Sequence, residues 1–553
     1  MTNAETFAYE KFAKRWHAVN ATRRMKDMWH PFAHLREVRE QNEHPHVVHA
    51  DSARASDSAH ASDSSGNSRS LGASRSSETS HPSGDGQPAA ARLPHSHAIP
   101  LDMEDIVRDY DKPIEEAGIA AKSSVIVRVG QMDLAGGTGG YRVREMMHRI
   151  SYPLGVHTRA DVNLTDIEAT CTDGSHRLTE VVDLPTTGVN TWRIWQLEHF
   201  TDWFNVKLGQ NSVYSKHPHD ISDGPLTVRT AHRKLDEIER KKPLYSPAFA
   251  GLASALACGA FVYLLGGGIY DIIGAFMGAG IGHWLRRRMF AHRLNQFFVT
   301  GISVAVAALV CVGTLRLIGF LDPSALEHDT AYIGAMLFVI PGFPLVTGGL
   351  DIAKLDFPSG LQRLAYATSI IVVATLAAWA VARMVQLNPQ GFPPLGLDPW
   401  LNGALRFVAA FIGVWGFSVL FNSPQRMALV AAFIGAIADT LRLEIQDFWN
   451  VPPEAAAFLC ALVAGLLATA WRSAVRHGAL PPSLGFPRIC LTVPSIVIMV
   501  PGLYLYRAVF YLGQFDTLNA LNWGFRGIMV ILCLPIGLAF ARVLTDSQWR
   551  YDV

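Results

Sequence analysis

Charge is what this 553-residue chain has least of: Asp, Glu, Lys and Arg together make up 17% of it, against about 25% in an average soluble domain. Its 47 acidic and 48 basic residues nearly cancel. Binding nucleic-acid phosphates takes a concentrated Lys/Arg surplus, so a broadly basic nucleic-acid binder is excluded. Cysteine is scarce as well. Cys258, Cys311, Cys460 and Cys533 sit in apolar runs, Cys490 at the edge of another and Cys171 apart. They form no disulfide framework and read as small buried hydrophobes. No Gly-x-x-x-x-Gly-Lys-Ser/Thr run is present, so no P-loop supplies energy from a nucleotide. Residues 1–40 carry Lys11, Lys14, Arg15, Arg23, Arg24 and Lys26 without an apolar core behind them. A secretory signal needs that core, so the soluble portion is expected to stay in the cytoplasm.

What the chain does have is unevenly placed. Residues 1–246 hold most of the charge and histidine, whereas residues 247–545 are a succession of apolar stretches. The division reads as a multi-pass membrane protein with a soluble front end. Within residues 1–98, the first 45 read equally as a basic amphipathic helix that can lie on anionic lipid or as a loosely structured tail. Residues 50–97 contain fourteen serines and too little apolar area to offset chain entropy, which predicts a disordered linker. Residues 99–245 read as a small α+β domain. A helical stretch from Met103 to Val129 is interrupted at Pro113 and Gly118, and the run Gly136-Gly137-Thr138-Gly139-Gly140 leads into a helix from Tyr141 to Ile150. That run matches no phosphate-binding fingerprint and reads as a helix-to-helix turn. Alternating segments Val162–Cys171 and Arg177–Leu184 flank Asp173-Gly174, a hairpin signal. Helices over 189–207 and 226–242 follow.

The apolar part divides into ten candidate spans near the length a bilayer core demands, at about 247–265, 269–285, 297–320, 331–350, 362–385, 400–421, 425–442, 454–471, 489–510 and 524–544. With both termini inside, Arg286, Arg287, Arg288, Arg293, Lys354, Arg363, Arg426, Arg472, Arg476, Arg488, Arg542 and Arg550 fall on the cytoplasmic side. Asp322, Glu327, Asp329, Asp398, Glu444 and Asp447 fall on the other. The positive-inside rule favours that arrangement.

The spans also repeat. Ala275-Phe276-Met277-Gly278-Ala279 returns as Ala432-Phe433-Ile434-Gly435-Ala436, about 157 residues on, and Ile340-Pro341-Gly342 returns as Val500-Pro501-Gly502. Two units of five spans, residues 246–390 and 391–553, must then cross the membrane in opposite senses, as in many transporters. Pro341-Gly342-Phe343-Pro344 breaks the fourth span, and Pro494 with Pro501-Gly502 breaks the ninth. Proline removes a backbone donor, and the freed groups are tolerable at that depth only against protein or a watery cavity. One break could be an ordinary proline kink; two at matching places point to a binding site at the midplane. Ionisable residues in apolar spans are costly, and Asp351, Asp356, Asp439, Arg363 and Arg507 are such residues. Asp351 and Asp439 are candidates for carrying a coupling proton, and a carboxylate at Asp439 could instead accept a substrate ammonium. Arg363 and Arg507 are candidates for pairing with a substrate carboxylate.

The run from Ile340 through Pro341, Gly342, Phe343, Pro344, Thr347, Gly348, Gly349 and Asp351 to Asp356, Ser359-Gly360 and Arg363 resembles the signature of the threonine/serine exporter family. Val493-Pro494-Ser495 through Val500-Pro501-Gly502 resembles the signature of its second half, and Val129 to Met146 is similar to its first domain. The resemblance covers roughly residues 120–545. It implies proton-driven export of L-threonine and L-serine from a bacterial cytoplasm by a multi-pass protein of the inner membrane. Such a protein needs no cofactor, metal or nucleic acid, only substrate, protons and lipid, and leaves room for a homo-oligomer. In the family the Gly-containing turn is shorter than Gly136–Gly140, which leaves that loop without an assigned role. Two other readings stand beside this one. The first is a dicarboxylate exporter on the same fold; the second is a membrane enzyme or sensor, for which His148, His157, His176, Asp161, Asp173 and Cys171 are available without a motif to join them.

Overall fold

The computed structural model describes residues 101–184, 188–212, 224–387, 389 and 391–551; the amphipathic segment and serine-rich linker read in residues 1–98 lie outside them. The described chain begins with an α+β layer of α1 (Leu101–Arg108), α2 (Ile119–Ala135), α3 (Gly140–Ser151), β1 (His157–Val162), β2 (Asp166–Thr172), β3 (Arg177–Asp183), α4 (Thr191–Lys207) and α5 (Val228–Glu239). α2 is its axle. It is buried nearly all round, with fifteen of its residues out of water, the pattern of a helix with neighbours on every side; Lys122, Ser123, Ser124, Arg128, Gln131 and Asp133 are among them. Val125, Ile126 and Val129 pack with Met146, Met147 and Ile150 of α3, Phe200 and Phe204 of α4 and Leu235 of α5. Arg128 in that core is neutralised by Asp236 at 2.6 Å and Glu239 at 2.7 Å. The strands form an antiparallel meander in the order β1-β2-β3. The expected hairpin is present, with Thr172 paired to Arg177 and Gly174 at φ +92°. β1 is the strand the sequence reading lacked. It shows its polar His157 and Arg159 to solvent, so its alternation is weak.

The helical part runs through α6 (Pro247–Leu264), α7 (Ile269–Ala291), α8 (Gln296–Gly319), α9 (Ala331–Ala335), α10 (Gly342–Ala353), α11 (Phe357–Val385), α12 (Pro399–Leu420), α13 (Gln425–Trp449), α14 (Pro453–Arg476), α15 (Arg488–Ile496), α16 (Gly502–Leu512) and α17 (Thr517–Thr545). Six of these helices, α6, α8, α11, α12, α14 and α17, are long and apolar enough to cross a membrane. Two bent pairs, 331–339 with α10 and 488–499 with α16, bring the total to eight if each is one span. The count of ten spans is therefore not reached on length and apolarity. α7 and α13 lie where two of those spans were placed, but α7 carries Asp271 and Arg286–Arg288 and α13 carries Arg426, Asp439, Arg442, Glu444 and Asp447, which lowers their apolar character. All six cysteines are free thiols, five buried and Cys533 half-buried.

The two Pro-Gly breaks share one backbone shape. Pro341 has φ −81° and ψ 62°, and Pro501 has φ −81° and ψ 57°. Each is the centre of an inverse γ-turn, closed by Gly342 N–H to Ile340 O and by Gly502 N–H to Val500 O, both at 2.8 Å. The axes bend by 60° and 42° at these points. The likeness extends beyond the half-helices: Leu355 and Phe515 have φ of 60° and 61°, and Asp356 and Asp516 then start α11 and α17. The breaks also touch. A Cβ on Gly342 would lie 2.8 Å from Val497 Cγ2, and one on Gly502 would lie 2.7 Å from Leu337 Cδ2, so a side chain at either position would wedge the breaks apart.

The α+β layer sits on one set of helix ends. Thr191 and Ser423 share a hydroxyl hydrogen bond of 2.7 Å, and Asn422 Nδ2 donates to Asn190 Oδ1 at 3.0 Å. Trp195 Nε1 donates to Gly485 O at 3.1 Å, and Gln362 Nε2 to Asn163 Oδ1 at 2.9 Å.

Candidate functional site

The centre of that seam is Asp351, near the end of α10 and fully buried. Its Oδ1 accepts the Tyr141 N–H at 3.2 Å, and the Gly140 N–H also reaches the carboxylate. Both belong to the first turn of α3, where backbone N–H groups have no intrahelical acceptor and the helix dipole favours an anion. Oδ2 accepts from Ser359 Oγ at 3.2 Å and lies 3.2 Å from Nε of the buried Arg363. α10 and α11 cross closely here, since a Cβ on Gly348 would lie 3.0 Å from Gly360 O, and this brings Arg363 to the carboxylate. Asp356, one turn on, forms an ion pair with Arg144 of α3. It makes no side-chain cap for its own helix, unlike Asp516 in the second half, which accepts the Asn519 N–H at 3.2 Å.

The Gly-rich run explains itself at this contact. A Cβ at Gly139 would stand 2.5 Å from Asp351 Oδ1, and one at Gly140 would stand 2.5 Å from both Asp356 Oδ2 and Ser359 Oγ. The run is a helix-to-helix turn, as read, and it also cradles two anions, both carboxylates of the chain itself.

Asp133, near the end of α2, is the buried acid behind the turn. Neither of its carboxylate oxygens accepts a hydrogen bond from a described residue. Burial pushes its pKa up to about 6, against the pull of the Arg142 charge. Arg142 itself is ion-paired with Glu198, which Arg149 also meets at 2.8 Å. Glu145 on the same helix is held below the usual carboxylate range: partial loss of water pushes it up, but Arg142, Arg542, Arg149 and Arg472 outweigh that. A cavity of about 440 Å³ opens beside the cluster, lined by Arg144, Arg159, Asp161, Lys354 and Asp356 among others. The Arg144–Asp356 pair is part of its wall.

Of the residues singled out from sequence, the structure brings Asp351, Asp356 and Arg363 together. Pro341, Gly342, Pro501 and Gly502 form the breaks. Phe343 is buried edge-on against Phe421, with ring centres 5.4 Å apart, and Thr347 returns its hydroxyl to Phe343 O at 3.1 Å. Pro494 lies inside α15, where it removes the N–H that would bond to the Cys490 carbonyl. Arg507 is elsewhere, its guanidinium 4.6 Å above the Trp523 ring. Asp439 is buried on α13 and bonded to Arg442 of the same helix at 2.7 Å, apart from the Asp351 cluster. The sequence reading missed Asp133, Tyr141 and Arg144. Only the glycine run ahead of a helix hinted at them, and its ligand lies some 210 residues away along the chain.

The chain is 23% identical over 380 residues to pheromone-regulated membrane protein 10 of Candida glabrata, an alignment covering 65% of this chain and 44% of that one. It thus spans less than half of that relative. The Saccharomyces cerevisiae protein of the same name is 23% identical over 374 residues, 64% of this chain and 90% of its own length. A probable succinate transporter subunit, YjjP of Klebsiella aerogenes, is 25% identical over 169 residues, 28% of this chain and 64% of its own. No solved structure matches the chain. One threonine/serine exporter model matches residues 124–385, across the α+β layer, the first break and the Asp351 cluster, and a second matches residues 406–544, across the other break. The chain belongs to the threonine/serine exporter family, a family of membrane transporters, with both halves fused in one polypeptide.

Proposed function

We propose that the protein exports small hydrophilic amino acids, L-threonine and L-serine, across the cytoplasmic membrane in exchange for protons, with both termini inside. On this reading ten helical elements form two inverted five-helix repeats. The shared backbone shape of the two Pro-Gly breaks supports the repeat, and their mutual contact supports a midplane passage. The orientation has support too: the α+β layer bonds to residues 362, 423 and 485, all at helix ends that the positive-inside rule assigns to the cytoplasm.

The observation that carries the reading is Asp351. A fully buried carboxylate shares its place with one arginine, one hydroxyl and the start of a helix from another layer. Such a cluster is a poor stability device, because desolvation offsets most of the Coulomb gain. It is a good switch. Protonation of Asp351 removes the charge that holds both Arg363 and the α3 N-terminus, so the α+β layer loosens and the cytoplasmic mouth opens. Reloading from the other side of the membrane requires the proton to leave, which ties transport to the gradient. Asp439, with its own arginine, is the second candidate for a coupling group.

The test is amino-acid release by cells fed a Thr- or Ser-containing dipeptide, with and without the protein. Faster appearance of threonine or serine outside, abolished by an uncoupler, supports the proposal; no difference contradicts it. A second reading, dicarboxylate export, is favoured by the similarity to the succinate transporter subunit. The same cells assayed for succinate release decide between the two.

A further inference from the structure

A second cavity, narrower and much smaller, adjoins the Asp351 cluster. Tyr141, Leu350, Arg488, Thr492, Leu538 and Arg542 are among the residues that line it. Its volume of about 10 Å³ is room for a single water. Arg488 is the first residue of α15, a position where a cation opposes the helix dipole. Its Nε and Nη1 are shielded from solvent, yet no described residue hydrogen-bonds to them. Arg542 lies over Trp549, 5.0 Å from the ring centre, and among the described residues no Asp or Glu lines the cavity. Asp546 is the one acid among them that attracts Arg488, and Arg542 and Arg472 both repel it, so cations outnumber acids here; Asp351 is engaged with Tyr141 N–H and Arg363, and Glu145 with Arg142. Buried donors of a guanidinium are costly to leave unmet, and the start of a helix adds unmet N–H groups of its own. The whole arrangement asks for an anion.

We infer that Arg488, with Arg542 and the first turn of α15, is a subsite for the carboxylate of the transported molecule. The planar guanidinium fork matches a carboxylate in two parallel hydrogen bonds. The subsite is drawn almost shut, and its Tyr141 wall belongs to the α+β layer. Lifting that layer from Asp351 therefore widens the cavity, so that one movement frees the coupling carboxylate and admits the substrate's. The inference rests on the transport reading and refines it: Asp351 handles the proton, Arg488 the substrate carboxylate.

The experiment is calorimetric titration of the purified full-length chain in detergent with threonine, with threoninol (which has CH₂OH in place of the carboxylate) and with succinate. Wild type is expected to bind threonine at least about tenfold more tightly than threoninol. Arg488→Gln is expected to lose about 10- to 100-fold in threonine affinity, the size of a charged hydrogen-bonded contact, with threoninol binding unchanged; Arg488→Lys retains part of the loss. Threonine binding equal in wild type and Arg488→Gln overturns the subsite while leaving amino-acid transport standing. So does a wild type that fails to tell threonine from threoninol, a comparison that needs no variant to fold. If succinate alone binds and Arg488→Gln abolishes it, the subsite stands and amino-acid export falls. Binding of none of the three overturns both.

Discussion

Replacing Gly140 by alanine isolates the contact between the two layers. The new Cβ would lie 2.5 Å from Asp356 Oδ2 and from Ser359 Oγ, and 2.8 Å from Ser359 Cβ. Normal carbon contacts are about 3.5 Å or more, so the α3 N-terminus must retreat by about 1 Å. Three contributions follow. Alanine gains up to about 1 kcal/mol of helix propensity at a helical position. Overpacking costs about 1–3 kcal/mol. Weakening the Tyr141 N–H bond to the Asp351 carboxylate loses a further 1.5–3 kcal/mol, roughly the worth of a hydrogen bond to a charged group. The net effect is a loss of about 1.5–5 kcal/mol in how firmly the α+β layer is held. Gly313→Ala, on α8 with open space around it, is the control and should be neutral or slightly stabilising. Protease sensitivity of the purified protein at the 241–246 connection reads the seating of the layer, and threonine efflux reads its consequence. Faster cleavage with faster, less pH-dependent efflux is expected for Gly140→Ala. Cleavage and efflux matching those of Gly313→Ala would refute the idea that the Gly-rich turn clamps the carboxylates.

Other parts of the structure give further outcomes. Asp133 has its pKa pushed up to about 6 from about 3.9 unfolded, so the folded chain binds its proton more tightly than the unfolded one. Its contribution is fully present below pH 4 and is lost as pH rises through 6, by about 3 kcal/mol at 1.36 kcal/mol per unit. Asp133→Asn should flatten the fall in melting temperature between pH 4 and 6, and an unchanged slope would count against it. The hydroxyls of Tyr332 and Tyr506, both buried, are 2.6 Å apart. Each Tyr→Phe change should cost about 1 kcal/mol, and the double variant less than the sum, as read by thermal melting. Gly342→Ala should cost about 1–3 kcal/mol by overpacking against Val497 and reduce efflux at normal expression, whereas wild-type efflux would deny the breaks a role.

The fold was legible wherever local rules decide it. The Asp173-Gly174 hairpin, the helices of the α+β layer and both Pro-Gly breaks follow from turn chemistry and apolar patterning. β1 escaped because its alternation is weak, with only Ala160 and Val162 turned inward. α7 and α13 have the length of a span, but Asp271 and Arg286–Arg288 in the one and five charges in the other, Asp439 near its middle, leave them short on mean hydropathy. The site was legible by halves. Asp351, Asp356 and Arg363 stood out as charges in apolar surroundings. Arg507 and Asp439 stood out for the same reason, and sequence has no means of showing that one lies over Trp523 and the other meets Arg442 on its own helix. The clamp needs tertiary contact to be seen, since Gly139-Gly140 and Asp351 are joined by folding alone.

On the proposed transport reading, Asp351 ties threonine movement to protons. The most direct test of that link is threonine efflux from proteoliposomes carrying the wild type or Asp351→Asn, with and without an imposed pH gradient. Wild type should respond to the gradient and lose that response with an uncoupler. Asp351→Asn should still exchange threonine for threonine across the bilayer but ignore the gradient. Gradient-driven efflux by Asp351→Asn at the wild-type rate would contradict the account.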